Sequence, residues 1–275
     1  MQPGSYCGLV LLFSTENGEP LAILNDGYLQ HMRVGAAAGI GARLLSRVES
    51  RRVGLIGSGG MAGTMLEALA IVRPIEEVRV FSRDPANRAR FAEEMSGKLG
   101  ISIIPATSAR EAVRGADILA TATDSMLPVV EADWLEPGMH VVALGPQDLA
   151  PECEARLDVV VRQGDETLDL PETDHFKRNP GHSRNAFVAG SPEQQSRLPD
   201  VPRKQKSAQS WPLYVDVIAG RSPGRTHREQ ITQYRAVGNW GLQFAACGAL
   251  VYRSAKSRHL GRELPTVWFL HGIMN

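Results

Sequence analysis

Val53, Gly54, Leu55 and Ile56 make a short apolar run that leads straight into Gly57-Ser58-Gly59-Gly60-Met61-Ala62 and then into helical periodicity. A strand that turns through G-x-G-x-x-A and continues as a helix fixes much of the local architecture. Gly57 permits the tight turn, Gly59 lets the backbone approach a pyrophosphate, and Ala62 is small enough for helix and strand to pack closely. Phosphates at such a turn meet free N–H groups at the positive end of the helix. Glycine clusters also make ordinary turns, so the segments that follow decide the reading.

Those segments alternate between strand and helix. Strands are expected at Val53–Ile56, Val78–Phe81, Ile101–Ile104, Asp117–Thr121, His140–Leu144 and Asp158–Val161. Helices are expected at Met61–Val72 and at Pro85–Leu99, the latter opened by Asp84 with Pro85 in its first turn. Ser108-Ala-Arg-Glu111 fits a capping box before a short helix. This alternation predicts a Rossmann-type, doubly wound parallel α/β sheet. Ahead of it, Gly8 to Phe13 and Pro20 to Leu24 flank Asn17-Gly18 and predict a hairpin. Leu29 to Arg47 turns helical, and its run Val34-Gly-Ala-Ala-Ala-Gly39 suits either tight packing or close approach of a ligand. Residues 163–210 are rich in Pro, Asp, Glu, Ser and Gln and read as a loop-rich excursion. Tyr214–Ile218 reads as a strand, and Gly238 to Lys256 as a largely apolar helix stopped by Gly261. Three segments follow: residues 1–47, the alternating residues 48–235, and residues 236–275.

Composition narrows the partners. Thirty basic and 30 acidic side chains cancel, which gives no reason to expect nucleic acid or an anionic membrane surface. Three scattered cysteines, Cys7, Cys153 and Cys247, form neither a disulfide framework nor a C-x-x-C motif and point to a reducing compartment. The opening residues show no basic and apolar leader pattern, so a cytoplasmic location is expected. Val237 to Tyr252 falls short of the ~20 residues that span a bilayer. His175 and His182, with Glu172 and Asp174, match no zinc spacing, and no metal is expected.

The end of the second sheet strand ordinarily meets the adenosine ribose, where an acidic residue favours NAD. Here the residues are Phe81-Ser82-Arg83-Asp84. Ser82 is small and neutral, and Arg83 and Arg88 offer charge-assisted bonds to a 2′-phosphate. NADP(H) is therefore favoured, with NAD(H) possible. Asp84 suits helix capping better than a ribose contact.

Several blocks resemble the ornithine cyclodeaminase/mu-crystallin family. They are Gly8 to Ala22, Met32-Arg33-Val34-Gly35-Ala36-Ala37, the glycine turn, Thr121-Ala-Thr123-Asp124-Ser125, Gly220-Arg-Ser-Pro-Gly-Arg-Thr226 and Ala236-Val237-Gly238-Asn239. The resemblance implies NAD(P)-dependent chemistry on a small amino or imino acid, through hydride transfer between nicotinamide C4 and a substrate Cα, in a homodimer. By position it implies that Arg33 meets the nicotinamide phosphates and the substrate carboxylate. It places Gly60 and Met61 under the pyrophosphate, and Ser82 and Arg83 at the ribose. Thr123 becomes a cofactor contact, as do Leu144 and Gly145 with Pro146 behind them, and Ala236, Val237 and Gly238 lie beside the nicotinamide.

Two departures bear on the reaction. Cyclodeaminases carry Asp-x-Pro-Gly-Lys after the fifth strand, whereas this chain has Gly145-Pro146-Gln147-Asp148-Leu149, with Gln147 in the aspartate's place. Glutamine cannot move protons, and Asp148 is the candidate acid or base if the loop shifts. Family members also carry an upstream segment with a lysine and an arginine for the substrate carboxylate; the sequence here starts close to Gly8, and an incomplete substrate domain is the expectation. An oxidoreductase of amino or imino acids is thus the leading reading. A cyclodeaminase that releases ammonia and a non-catalytic NADPH-binding protein are the alternatives. His31, Trp240, Phe244 and Cys247 read as packing or polar neighbours rather than reacting groups.

Overall fold

The computed structural model describes residues 8–125, 127–164 and 211–272. A hairpin of β1 (Leu9–Phe13) and β2 (Pro20–Asn25) precedes α1 (Gly27–Leu45). There follow β3 (Arg52–Ile56), α2 (Gly60–Val72), β4 (Glu77–Phe81), α3 (Pro85–Leu99), β5 (Ser102–Pro105), α4 (Ala109–Val113), β6 (Ile118–Thr121), β7 (His140–Ala143) and β8 (Val159–Arg162). The chain closes with α5 (Tyr214–Ile218), β9 (Thr232–Arg235) and α6 (Trp240–Ser257). Strands β3 to β9 form one seven-stranded sheet in the order β5-β4-β3-β6-β7-β9-β8, and every pairing is parallel. The doubly wound architecture expected from the alternation is what forms.

Period-two alternation sends the strand side chains into two separate cores. Val53, Leu55, Val78, Val80, Ile118, Ala120 and Val142 face α1, α2 and α3. Leu119, Val141, Val113, Leu135 and Cys153 pack on the opposite face. The small-residue run of α1 is used for packing. A Cβ on Gly35 would be driven into the Thr64 backbone of α2, and one on Gly39 would press on Ala68. Because residues 35 and 39 meet 64 and 68 in the same order, the two helices run parallel. Both N-termini therefore point toward the carboxyl ends of the strands. Asp84 caps α3 as expected, accepting from Ala86 N at 2.8 Å and Asn87 N at 3.2 Å. Ser108 caps α4, while Glu111 reaches back to Thr107 and not to Ser108, so only half of the capping box forms.

Two local expectations are corrected. Tyr214–Ile218 is a short helix, not a strand; its Val-Asp-Val alternation also fits one helical turn, with Tyr214 and Val217 packed toward Leu45 and Tyr234. Thr232–Arg235 is a strand inside the sheet, paired on both sides, that its polar sequence conceals. Nearly all of the excursion, residues 165–210, lies outside the described residues, as do His175, His182 and Cys7.

Strand β9 joins the sheet through buried polar contacts. Arg225, from the Gly220–Thr226 turn, donates to Leu45 O (2.7 Å), Thr232 Oγ1 (3.0 Å) and Gly138 O (3.2 Å). It thereby binds the end of α1 to β9 and to the loop before β7. Arg73 does the same for the carboxyl end of α1, donating to Ala42 O at 2.8 Å and to the Ser46 hydroxyl at 2.7 Å. Beside them His140 is fully buried, with Nδ1 2.9 Å from Thr232 Oγ1 and Nε2 without a partner among the described residues. Burial, reinforced by the charges of Arg225 and Arg73, pushes its pKa down to about 3. The unfolded imidazole binds a proton near its ordinary 6.5, so the folded state holds fewer protons than the unfolded state between those values. The neutral ring's contribution is complete above pH 6.5 and is lost as pH falls toward 3. Unfolding free energies from urea titrations across pH 4–7 are expected to fall less steeply with falling pH for His140→Gln than for the wild type, by up to ~1.4 kcal/mol per pH unit. Parallel curves would rule this group out as a source of acid sensitivity.

Candidate active site

In a parallel sheet all carboxyl ends share one edge. Gly57 follows β3, Ser82 follows β4, Thr123 follows β6, Leu144 and Gly145 follow β7, and Ala236 to Gly238 follow β9. Those five strands are consecutive neighbours in the sheet, so the residues form a row along the edge. The chain winds outward from β3 through β4 to β5, and the other way from β6, so the crevice between β3 and β6 is the topological switch point where ligands bind in such sheets.

Gly57 has φ +111°, and a Cβ there would be driven into the Ala122 carbonyl oxygen at the end of β6. Its N–H donates to Phe81 O at 2.8 Å, tying the turn to β4. Gly59 takes the N-cap position of α2 with no side-chain cap, and a Cβ at Gly59 would meet nothing within 4 Å. The first N–H groups of a 13-residue helix are therefore open to the sheet edge. Ala62 is buried against β3 and Met61 half-buried beside it. The His31 ring of α1 lies against Gly60, where any side chain would collide with it. The backbone of His31 is held by Thr64, whose Oγ1 donates to His31 O at 2.7 Å.

At the β4 end the hydroxyls of Ser58 and Ser82 meet at 2.9 Å. The Arg83 side chain is 90% exposed and stands 3.8 Å from Asp124, across the mouth between β4 and β6. Arg88 is folded back on this end: its NH1 donates to Ser82 O at 2.6 Å and its guanidinium lies over the Phe81 ring. Arg83 is thus free to turn, whereas Arg88 is committed to the strand end on at least one side.

Asp148 occupies the turn after β7 and is wholly buried. It accepts from Thr121 Oγ1 (2.7 Å), Thr123 Oγ1 (2.9 Å), Gly145 N (3.2 Å) and Gln147 Nε2 (3.3 Å). This carboxylate joins the two turns that follow β6 and β7, with its oxygens turned inward. Gln147 also donates to Ser125 O at 3.3 Å. Beyond this turn Leu144, Leu149, Cys153, Arg235, Ala236 and Val237 line one pocket between β7 and β9.

Arg33 sits on the side of α1 that faces α6. Its Nε donates to Gln30 Oε1 at 2.9 Å, NH1 donates to Gln243 Oε1 at 3.4 Å, and the guanidinium lies 5.3 Å from the Phe244 ring centroid. Burial lowers its pKa, partly offset by Cys247 and Asp26. A guanidinium in these surroundings stays charged and serves an oxyanion well. Gln30, Gln243 and Gln163 hold the site together, and no sequence motif marks them.

The row fits a dinucleotide on structural grounds: an uncapped helix end, an open Cα at Gly59, and a turn that admits only glycine at residue 57. Gly57, Gly59, Gly60, Met61 and Ala62 would lie under the pyrophosphate. No group of three or more His, Cys, Asp or Glu side chains that could hold a metal occurs among the described residues. No helix among them is long and apolar enough to cross a membrane.

The family model for the ornithine cyclodeaminase/mu-crystallin family matches residues 4–259. The chain is 31% identical to an alanine dehydrogenase of Archaeoglobus fulgidus over 262 residues, which cover 93% of this chain and 73% of that one. Its fold is similar to the Delta(1)-pyrroline-2-carboxylate reductase of Thermococcus litoralis solved with NADH and L-proline, with TM-score 0.72, 30% identity, and 92% and 73% of the two chains covered. It is also similar to an archaeal alanine dehydrogenase dimer with bound NAD, with TM-score 0.70, 30% identity, and 94% and 73% covered.

Proposed function

The chain belongs to the ornithine cyclodeaminase/mu-crystallin family, and from that premise we propose that it is an NAD(P)H-dependent oxidoreductase of small amino or imino acids. The observation that carries this reading is the row of turns along one sheet edge, from the uncapped α2 end to Gly238. When bound, the nicotinamide supplies hydride exchange at C4 with the substrate Cα. The chain's own part is orientation and electrostatics. Gly57 to Ala62 receive the pyrophosphate. Thr123, Leu144, Gly145, Ala236, Val237 and Gly238 flank the nicotinamide. Arg33 binds an oxyanion, best read as the substrate carboxylate.

Gln147 stands where cyclodeaminases carry their proton-moving aspartate, and Asp148 spends its oxygens on the β6 and β7 turns. Both features favour reduction of an imine or oxidation of an amino acid over cyclodeamination. We read Asp148 as a positioning residue for Thr123. Residues 48–235 make the nucleotide-binding unit in this reading, and 1–47 with 236–275 the substrate and dimerisation unit. A cytoplasmic location suits three scattered cysteines with no C-x-x-C spacing, and a homodimer suits the apolar outer face of the hairpin. On that face Leu9, Leu11, Phe13 and Ile23 are exposed.

Mixing the protein with reduced cofactor and a cyclic imino acid tests the reading. Stoichiometric loss of reduced-nicotinamide absorbance supports it. Ammonia release from ornithine with no net redox change would make the protein a lyase. Cofactor binding without turnover across an imino- and amino-acid screen would make it a binding protein.

Cofactor choice rests on Arg83, whose exposed guanidinium stands at the ribose end with Ser82 and without an acidic residue in the discriminating place. Arg83→Ala is expected to weaken NADPH about tenfold, or ~1.4 kcal/mol, and NADH much less. Fluorescence titration with both cofactors measures it. Equal losses would remove the 2′-phosphate role.

A further inference from the structure

Three amides set the orientation of Arg33. Its hydrogen-bond partners among the described residues, Gln30 and Gln243, are both neutral. A guanidinium has five N–H donors, and these contacts use one on Nε and one on NH1. The remaining donors stay available to a ligand, and no contacting group among the described residues neutralises the charge. The carboxylate of Asp26 and the thiol of Cys247 act on Arg33 at longer range.

The Gln243 amide is in turn fixed from behind. Its Nε2 donates to Gln163 Oε1, and Gln163 Nε2 donates to Gly238 O. A side-chain amide can ordinarily be flipped end for end without changing its shape. Here it cannot, because both ends of the relay are committed. The Gly238 carbonyl can only accept, and Arg33 can only donate. One polarity satisfies every member: Arg33 to Gln243, Gln243 to Gln163, Gln163 to Gly238. Gln163 is buried at the end of β8. It also donates its N–H to Arg235 O at 2.9 Å and accepts from Asn239 Nδ2 at 3.1 Å. The relay therefore joins α1, α6 and the turn after β9, the same turn that flanks the nicotinamide in the reading above.

We propose that Gln243, backed by Gln163, is a positioning residue that aims the Arg33 guanidinium while leaving its charge free for a carboxylate or phosphate oxyanion. The proposal rests on the reading of Arg33 as the anion receptor. Glutamine is suited to this task in a way glutamate is not. A carboxylate at position 243 would hold the guanidinium as well or better, but it would neutralise the charge that the ligand needs.

Two ligands are measured in each variant: NADPH by fluorescence titration, and Delta(1)-pyrroline-2-carboxylate by its KM. Arg33→Ala first shows which of them Arg33 serves. Gln243→Glu is then expected to weaken that same ligand at least tenfold, more than the loss of the amide alone does in Gln243→Leu, because the carboxylate neutralises the guanidinium. Gln243→Leu is expected to raise the same constant severalfold, with a lower midpoint, and Gln163→Leu to act in the same direction more weakly. If Arg33→Ala changes neither ligand, the anion-receptor reading fails and the relay falls with it. If Arg33→Ala weakens a ligand and Gln243→Glu leaves it unchanged, Arg33 keeps its role and the relay alone is overturned. A purely structural Gln243 would move the midpoint and leave both ligand constants where they were.

Discussion

Replacing Arg33 by alanine is expected to lower kcat/KM for an imino-acid substrate by about a hundredfold, with a much smaller change in the unfolding midpoint. A charge-assisted, two-pronged contact to a carboxylate is worth about 3 kcal/mol when its surroundings are partly desolvated, and 1.4 kcal/mol is a factor of ten. Arg33 meets that condition. It is half-buried, its pKa is lowered by burial, and its framing groups are amides and a phenyl ring. Its contacts within the chain are too weak to account for the cost of burying a charge, since the bond to Gln243 is long at 3.4 Å. Loss of the side chain therefore costs the ligand more than the fold. Arg33→Lys keeps the charge and loses the planar fork, so its kcat/KM is expected between the two. Steady-state kinetics on the three proteins at one cofactor concentration, with urea midpoints alongside, separate these effects. Turnover retained in Arg33→Ala would remove this residue from the site.

The part of this site that could be read from the chain is the part that obeys local periodicity. The β3 turn was legible because an apolar run, three glycines and a helical pattern follow each other within a dozen residues, and each constrains the next. The hairpin and the caps of α3 and α4 are equally local. Strand β9 escaped because Thr232, Gln233 and Tyr234 do not look like the interior of a sheet. They are nevertheless buried: Thr232 finds polar partners in Arg225 and in His140 of β7, and Gln233 in Arg235. Helix α5 reads as a strand in the sequence because five residues hold too little pattern to separate a period of two from one of 3.6. The glutamine relay had no local signature at all: Gln163 and Gln243 lie 80 positions apart, and Arg33 and Gln243 lie 210 apart. Contacts of that kind depend on where the sheet order brings chain ends together, and no spacing rule encodes them.

Asp148 shows how a residue type can point to chemistry while its surroundings point to architecture. A carboxylate just beyond the fifth strand is where a proton carrier is expected. A proton carrier, however, needs at least one oxygen that a substrate or water can reach. Asp148 is fully buried, and both oxygens accept bonds from the β6 and β7 turns. Removing that acceptor leaves the buried Thr121 hydroxyl and the Gly145 N–H without their partner, at about 1–3 kcal/mol for each unsatisfied group. Asp148→Ala is therefore expected to destabilise the fold by ~3 kcal/mol or more and to weaken cofactor binding through the loosened Thr123 turn. Asp148→Asn keeps the shape and one acceptor, and threonine hydroxyls can rotate to accept from the new NH2 group. It is expected to recover most of the stability, the cofactor affinity and the turnover. A proton carrier predicts no recovery of kcat in Asp148→Asn. Asparagine would then abolish turnover in a protein whose unfolding midpoint and cofactor affinity stay close to the wild type. Urea midpoints, NADPH titration and kcat measured together on the two variants decide between the roles, because only a clamp makes all three quantities fall in Asp148→Ala and return in Asp148→Asn.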